Sequence, residues 1–200
     1  MKIKGYTKIT NERHLNLFSI SYLDRKNCSR SWRIVSRQES PKAVSGALDR
    51  PDAVVVVPYH AEKEKMVLIS EYRVALGGFQ YGFPAGLIDA GESVTEAGIR
   101  ELREETGLIA TQILMEGAPV YSSTGMTDES VSMLYVVCGG EPSNALNESS
   151  EDIQTLFVSP GEAASLVVNR EHRFDVKTWL VLSFFSAHGK LALPLPFSPK

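Results

Sequence analysis

Residues Gly86–Leu108 read GLIDAGESVTEAGIRELREETGL. Its second half predicts a helix over Ser93–Thr106. Ser93 stands where an N-cap belongs, and Glu96, three residues on, completes a capping box. Gly107 follows as a C-terminal stop. Inside the helix Glu101, Glu104 and Glu105 fall at i, i+3 and i+4, which sets three carboxylates along one face. Like charges at that spacing repel, so a plain surface helix gains nothing from them. A divalent cation reverses the sign of the interaction, and Mg²⁺ prefers carboxylate, water and phosphate oxygens. Ile99 and Leu102, three apart, are the expected anchors of the helix on a sheet. Taken alone, a run such as Arg100-Glu101-Leu102-Arg103-Glu104-Glu105 is more often a solvated face than a site.

Working outward, residues 14–23 and 31–36 read as strands joined by the polar turn Asp24-Arg25-Lys26-Asn27, a hairpin. Gly46–Asp52 reads as a linker. Ala53–Val57 is a β-branched run suited to a strand buried on both faces, and Met66–Ile69 is another strand. Gly77-Gly78 and Pro84-Ala85-Gly86 read as breaks. Residues 111–121, 131–138 and 153–159 read as strands, and 163–169 and 175–187 as helices. Trp179, Leu180, Leu182, Phe184 and Phe185 are expected to form the packed apolar face of the last helix. The fold class is therefore α/β, a mixed sheet between helices, preceded by a small N-terminal β hairpin region. The expected division is residues 1–48 for the N-terminal strands and 49–200 for the main domain.

Two hundred residues suit one domain with a small appendage. Apolar residues make up 43% and charged residues 22%, which indicates neither disorder nor a membrane protein. No apolar run reaches the length a spanning helix needs, and the basic start Met1–Tyr6 lacks a signal peptide's apolar core. A net charge of −3 does not suggest a nucleic-acid binder. Cys28 and Cys138 make neither a disulfide framework nor a zinc site, so a reducing cytoplasm is expected. The four histidines, His14, His60, His172 and His188, have no metal-ligand spacing.

The wider spacing of the opening stretch overturns the solvated-face reading. Gly86, five residues, Glu92, seven residues, then Arg100-Glu101-Leu102-Arg103-Glu104-Glu105-Thr106-Gly107-Leu108 resembles the Nudix box at every defined position. At ordinary residue frequencies a chance match at a given start is on the order of one in 10⁹. The resemblance implies a loop–helix–loop in which Glu101, Glu104 and Glu105 bind Mg²⁺ (Mn²⁺ as the substitute), with the backbone carbonyl of Ala85 as a further ligand. It gives Glu92 and Arg100 the support of the loop–helix geometry. Arg100 and Glu105 are also counted with the catalytic residues.

The rest of the chain resembles the ADP-ribose pyrophosphatase-like branch. The features are the strand pair ending Trp32–Arg37, Glu71-Tyr72-Arg73 before Phe83-Pro84-Ala85-Gly86, the loop Ser122–Glu129, and the acidic loop Glu148–Ile153. The branch usually has Pro where Thr124 stands and Glu where Gly82 stands. This second resemblance implies a homodimer built by the N-terminal strands. Under it Trp32, Arg37, Arg73 and Glu129 become the substrate-binding residues, and Glu148 or Glu151 the water-activating base. Trp32 could equally be core or dimer filler, and Arg73 could be an ion-pair partner of Glu71. The expected reaction is Mg²⁺-dependent hydrolysis of a nucleoside diphosphate sugar, with ADP-ribose giving AMP and ribose 5-phosphate. The alternatives are a UDP- or GDP-sugar, a dinucleotide or an oxidised nucleotide as substrate, or an inactive ligand-sensing domain.

Overall fold

The computed structural model describes residues 1–189 and residue 191. The chain divides into two compact units, Met1–Ala53 with Ala118–Ser132, and Val54–Gly117 with Met133–Lys200. The first unit thus takes in a loop that lies far along the sequence from its N-terminal strands.

In the first unit β1 (Lys2–Lys8), β2 (Asn16–Leu23) and β3 (Ser29–Ser36) form an antiparallel sheet in that order. Strand β1 was not expected, because its lysines and Gly5 hide a weak alternation. Pairing with β2 supplies what local propensity does not. The predicted turn is real: the Asp24 carboxylate accepts the N–H groups of Lys26 and Cys28 at 2.8 and 2.9 Å, and Asn27 adopts a φ of 58°. Phe18, Ile20 and Ile34 make the small core. A short helix α1 (Lys42–Ser45) follows. The Lys42 side chain is buried and its ammonium is saturated by Asp52 Oδ2 (2.7 Å), Arg50 O (2.7 Å) and Ser130 Oγ (2.6 Å). Such a pair survives burial only with every donor satisfied.

The second unit is built on β4 (Ala53–His60), β5 (Lys65–Arg73), β6 (Gly78–Gly82), β7 (Ala85–Leu87), α2 (Val94–Thr106), β8 (Ile109–Glu116), β10 (Ser130–Gly139), β11 (Ile153–Val158), α3 (Pro160–Val168) and α4 (Val176–His188). Strand β9 (Val120–Tyr121) belongs to the first unit, where it pairs with the start of β10. The sheet order is β11-β5-β4-β10-β8, with β6 beside β5 and β7 beside β4. Ala61 N–H donates to Cys138 O as Asp52 N–H does to Ser130 O, so β4 and β10 run parallel while the other registered pairs are antiparallel. The sheet is mixed, as expected.

Helix α2 covers one face. Val54, Val56, Leu134, Val136 and Cys138 pack with Ala97 and Leu102 in the main core. Leu102 anchors the helix as predicted, but Ile99 is 41% exposed. Its place is taken by Gly98, where an added Cβ would strike Leu134 and come within 3.3 Å of Val54 and Val56. Helix α4 covers the other face, with Tyr59 and Phe185 edge to face at 6.5 Å. Of its expected apolar face only Leu182 and Phe185 are buried; Trp179, Leu180 and Phe184 are about half exposed. Gly77, with a φ of 57°, and Pro84 interrupt the strands as expected, but β6 and β7 begin directly after them, and the expected strand 111–121 splits into β8 and β9.

Candidate active site

The site grows from the loop and helix around Gly86–Leu108. Ser93 Oγ accepts the Glu96 N–H (3.2 Å) and Glu96 Oε2 accepts the Ser93 N–H (2.9 Å), closing the capping box. Arg100 is the fastener of the loop. Its Nε and one terminal nitrogen each donate to Glu92 at 2.9 Å, and the same terminal nitrogen reaches Leu87 O at 3.0 Å. The other terminal nitrogen donates to Glu101 (2.7 Å) and Glu104 (3.1 Å). Bonding to Arg100 holds Glu92 below the usual carboxylate range, and the same contacts raise the affinity of Arg100 for its proton. Arg100 therefore braces the loop on the helix.

Glu101 and Glu105 are buried, while Glu104 is more exposed. Burial pushes Glu105 up to about 9, helped by the nearby charges of Glu101, Glu71 and Glu151 and opposed by the Ala85 N–H, which donates to it at 3.2 Å. Glu101 is also raised by burial, against the pull of Arg100. The Glu101 carboxylate lies directly over Gly86, where any Cβ would collide with it. A side chain at 86 would force the Glu101 carboxylate away from its bond to Arg100. Among the described residues, no three His, Cys, Asp or Glu side chains are already gathered as a finished metal cage. Mutually repelling carboxylates turn to Arg100 and the Ala85 N–H instead. A buried acid that cannot ionise at neutral pH, in an all-oxygen donor set, is what a hard divalent cation would relieve.

A cavity of about 500 Å³ opens over this face, bounded by Ala85, Glu101, Glu104 and Glu105 on one side and by Leu146, Glu148 and Glu151 on the other. The acidic loop thus meets the box helix. Glu151 accepts the Glu148 N–H at 2.8 Å, and its charge is felt at Glu71, Glu101 and Glu105. Among the described residues the Glu148 carboxylate accepts only the Ser150 hydroxyl, at 3.4 Å. Glu71 is the participant that sequence reading missed as a carboxylate of the site. It sits opposite Ile153 where β5 pairs with β11, and burial raises it. An acid closing the apolar run of β5 was the available signal. Arg73 is ion-paired to Glu71 at 2.7 Å, as its alternative reading held.

Trp32, Arg37 and Glu129 lie in the first unit. Arg37 and Glu129 are paired at 3.0 Å. Trp32 is half exposed beside an apolar cavity of about 650 Å³, which Tyr22, Tyr121 and Thr124 also line.

A family model described as NUDIX domain matches residues 49–180. The chain is 34% identical over 145 residues to putative nudix hydrolase 2 of Caenorhabditis elegans, covering 69% of this chain and 63% of that protein. It is 30% identical over 123 residues to an ADP-ribose pyrophosphatase of Saccharomyces cerevisiae, covering 61% and 52%. The chain therefore spans less than two thirds of these relatives' length. A crystal structure of an ADP compounds hydrolase superposes over 94% of this chain and 95% of its own, with a TM-score of 0.67 at 22% identity, a likeness of fold.

Proposed function

Because the chain belongs to the Nudix family, we propose that it hydrolyses the diphosphate linkage of a nucleoside diphosphate compound, with ADP-ribose, giving AMP and ribose 5-phosphate, as the first substrate to test. The observation that carries this reading is the complete carboxylate face of α2 over a cavity that also holds Glu148 and Glu151. A domain that only senses a ligand has no need of that set. The yeast relative, an ADP-ribose pyrophosphatase, supports an ADP compound. Gly82 and Thr124, where the branch usually has Glu and Pro, leave UDP- and GDP-sugars, dinucleotides and oxidised nucleotides as the second reading.

Glu101, Glu104 and Glu105, with the Ala85 carbonyl, would hold Mg²⁺ or Mn²⁺. When bound, the metal neutralises charge on the diphosphate and makes water a better nucleophile. Arg100 keeps Glu92 and the loop fixed while the carboxylates are engaged. Arg73 would leave Glu71 to meet a phosphate oxygen, a partner that suits its planar fork. A water oxygen attacks one phosphorus, the bridging P–O bond breaks, and a carboxylate takes the water's proton. Glu148, on the cavity wall and weakly engaged, is our choice for that base. Glu151, close in charge to Glu101 and Glu105, would assist at the metal.

Trp32 would stack on the nucleobase, with Arg37 and Glu129 beside it. The protein would act as a homodimer through the N-terminal sheet, whose exposed Ile3 and Trp32 suit a partner surface. A reducing compartment such as the cytoplasm suits a chain whose Cys28 and Cys138 are both free thiols. No helix among the described residues is long and apolar enough to cross a membrane.

The test is a panel of nucleoside diphosphate sugars, dinucleotides and oxidised nucleotides, assayed with Mg²⁺ for phosphate released after phosphatase coupling. Turnover of ADP-ribose to two monophosphates is expected. Turnover of none of the panel would refute the reading.

A further inference from the structure

We infer that Gly107, which ends the metal helix, also seats the acidic loop, so that one backbone position aligns the carboxylates of α2 with Glu148 and Glu151. Two requirements meet at this residue. Its φ of +73° closes the helix, with the Gly107 N–H donating to Arg103 O. Its missing side chain makes room for the loop: a Cβ there would lie 2.7 Å from both the N and the Cβ of Ser143 and 3.0 Å from its O. In that space the Ser143 N–H donates to Thr106 O at 2.8 Å, satisfying one of the carbonyls that a helix end leaves free.

The other end of the loop is held by Tyr72, whose N–H donates to Asp152 O at 3.0 Å at the tip of β5. Residues 144–151 therefore hang between two backbone clasps, one on the metal helix and one beside Glu71. The Ala145 N–H bonds to Ser143 Oγ at 3.2 Å, which carries the first clasp into the turn. Displacing Ser143 moves the segment that places Glu148 and Glu151 on the cavity wall. Gly107 is thus a positioning residue that never touches substrate.

Helix α4 provides an internal control. Gly189 ends it with a φ of +67°, and among the described residues a Cβ there meets nothing closer than Pro160 Cγ at 3.8 Å, ordinary contact. Asn tolerates left-handed backbone better than other side chains. Gly107→Asn and Gly189→Asn therefore share the backbone cost, and only the first disturbs the loop. Ser143→Pro makes the complementary change: it removes the donor to Thr106 O and leaves the helix and Gly107 alone.

The experiment combines hydrogen exchange of the peptide spanning residues 140–152 with kinetics and with Mn²⁺ binding in the absence of substrate. Gly107→Asn and Ser143→Pro should speed exchange in that peptide about tenfold or more. They should lower kcat by roughly 10- to 100-fold, as a small misplacement of a reacting group does, and weaken Mn²⁺ binding, because Glu151 moves with the loop. Gly189→Asn should change none of the three. Unchanged exchange in both loop variants would overturn the inference, and so would equal kcat losses at Gly107 and Gly189. If Gly107→Asn fails to fold, Ser143→Pro decides. The kinetic arm rests on the proposed hydrolase activity, whereas the exchange arm does not. A wild type that turns over no substrate would count against the function and leave the seating of the loop to be judged by exchange.

Discussion

Glu105→Gln should stabilise the metal-free protein at alkaline pH even as it abolishes activity. Burial beside Glu101, Glu71 and Glu151 raises the Glu105 carboxyl from 4.5 to about 9. Between those two values the folded chain holds a proton that the unfolded chain releases. Stability from this group is therefore fully present below about pH 4.5 and falls as pH rises toward 9. At about 1.4 kcal/mol per pH unit, the cost reaches roughly 3–5 kcal/mol by pH 8. Gln keeps the shape and an oxygen for the Ala85 N–H but does not titrate. For a chain of this length the difference corresponds to about 10 °C in Tm. The assay is thermal unfolding of wild type and variant in EDTA from pH 5 to 9, repeated with saturating Mg²⁺. In EDTA the variant's advantage should be about 1 kcal/mol near pH 5.5 and grow steadily to pH 8. With Mg²⁺ the wild type should recover by mass action and the variant should not. A wild-type Tm in EDTA that moves with pH just as the variant's does would refute the reasoning.

Three further outcomes rest on the same geometry. Glu148→Gln should lower kcat by about 10²–10⁴ at saturating Mg²⁺, whereas the loss in Glu151→Gln should be partly recovered by added Mg²⁺; if neither falls tenfold, Glu129 becomes the next candidate base. Lys42→Met leaves the buried Asp52 without its cation and should cost about 3–5 kcal/mol in urea unfolding, and adding Asp52→Leu should restore part of that loss. Light scattering at micromolar concentration should give twice the chain mass, and a fully active monomer would defeat the dimer reading.

How much of the fold and site is legible in the sequence depends on where the determining contacts lie. Helix α2 is readable because its capping box, terminal glycine and carboxylate spacing are all local. Residues 78–82 and 85–87, which start within the breaks at Gly77-Gly78 and Pro84-Ala85-Gly86, show no strand locally because Gly and Pro oppose it. They become β6 and β7 because β5 and β4 offer them partners, information held far away in the chain. Ile99 is the natural anchor by spacing, yet Gly98 faces the sheet because the tight approach to Leu134 admits nothing larger. The carboxylates of the box are visible as a motif, but Glu71 is not. Its neighbours Glu105 and Glu151 come from other elements: Glu105 lies on α2, and the pairing of β5 with β11 brings Glu151 near.

We propose that the carboxylate face of α2 makes this chain a metal-dependent hydrolase. The most direct measurement is the initial rate of ADP-ribose hydrolysis across a Mg²⁺ titration, for wild type, Glu101→Gln and Glu105→Gln. Saturable activation by Mg²⁺ is expected in the wild type, with AMP and ribose 5-phosphate as products, and a loss of orders of magnitude in both correctly folded variants. A wild-type rate indifferent to Mg²⁺, or near wild-type rates in the variants, would contradict it.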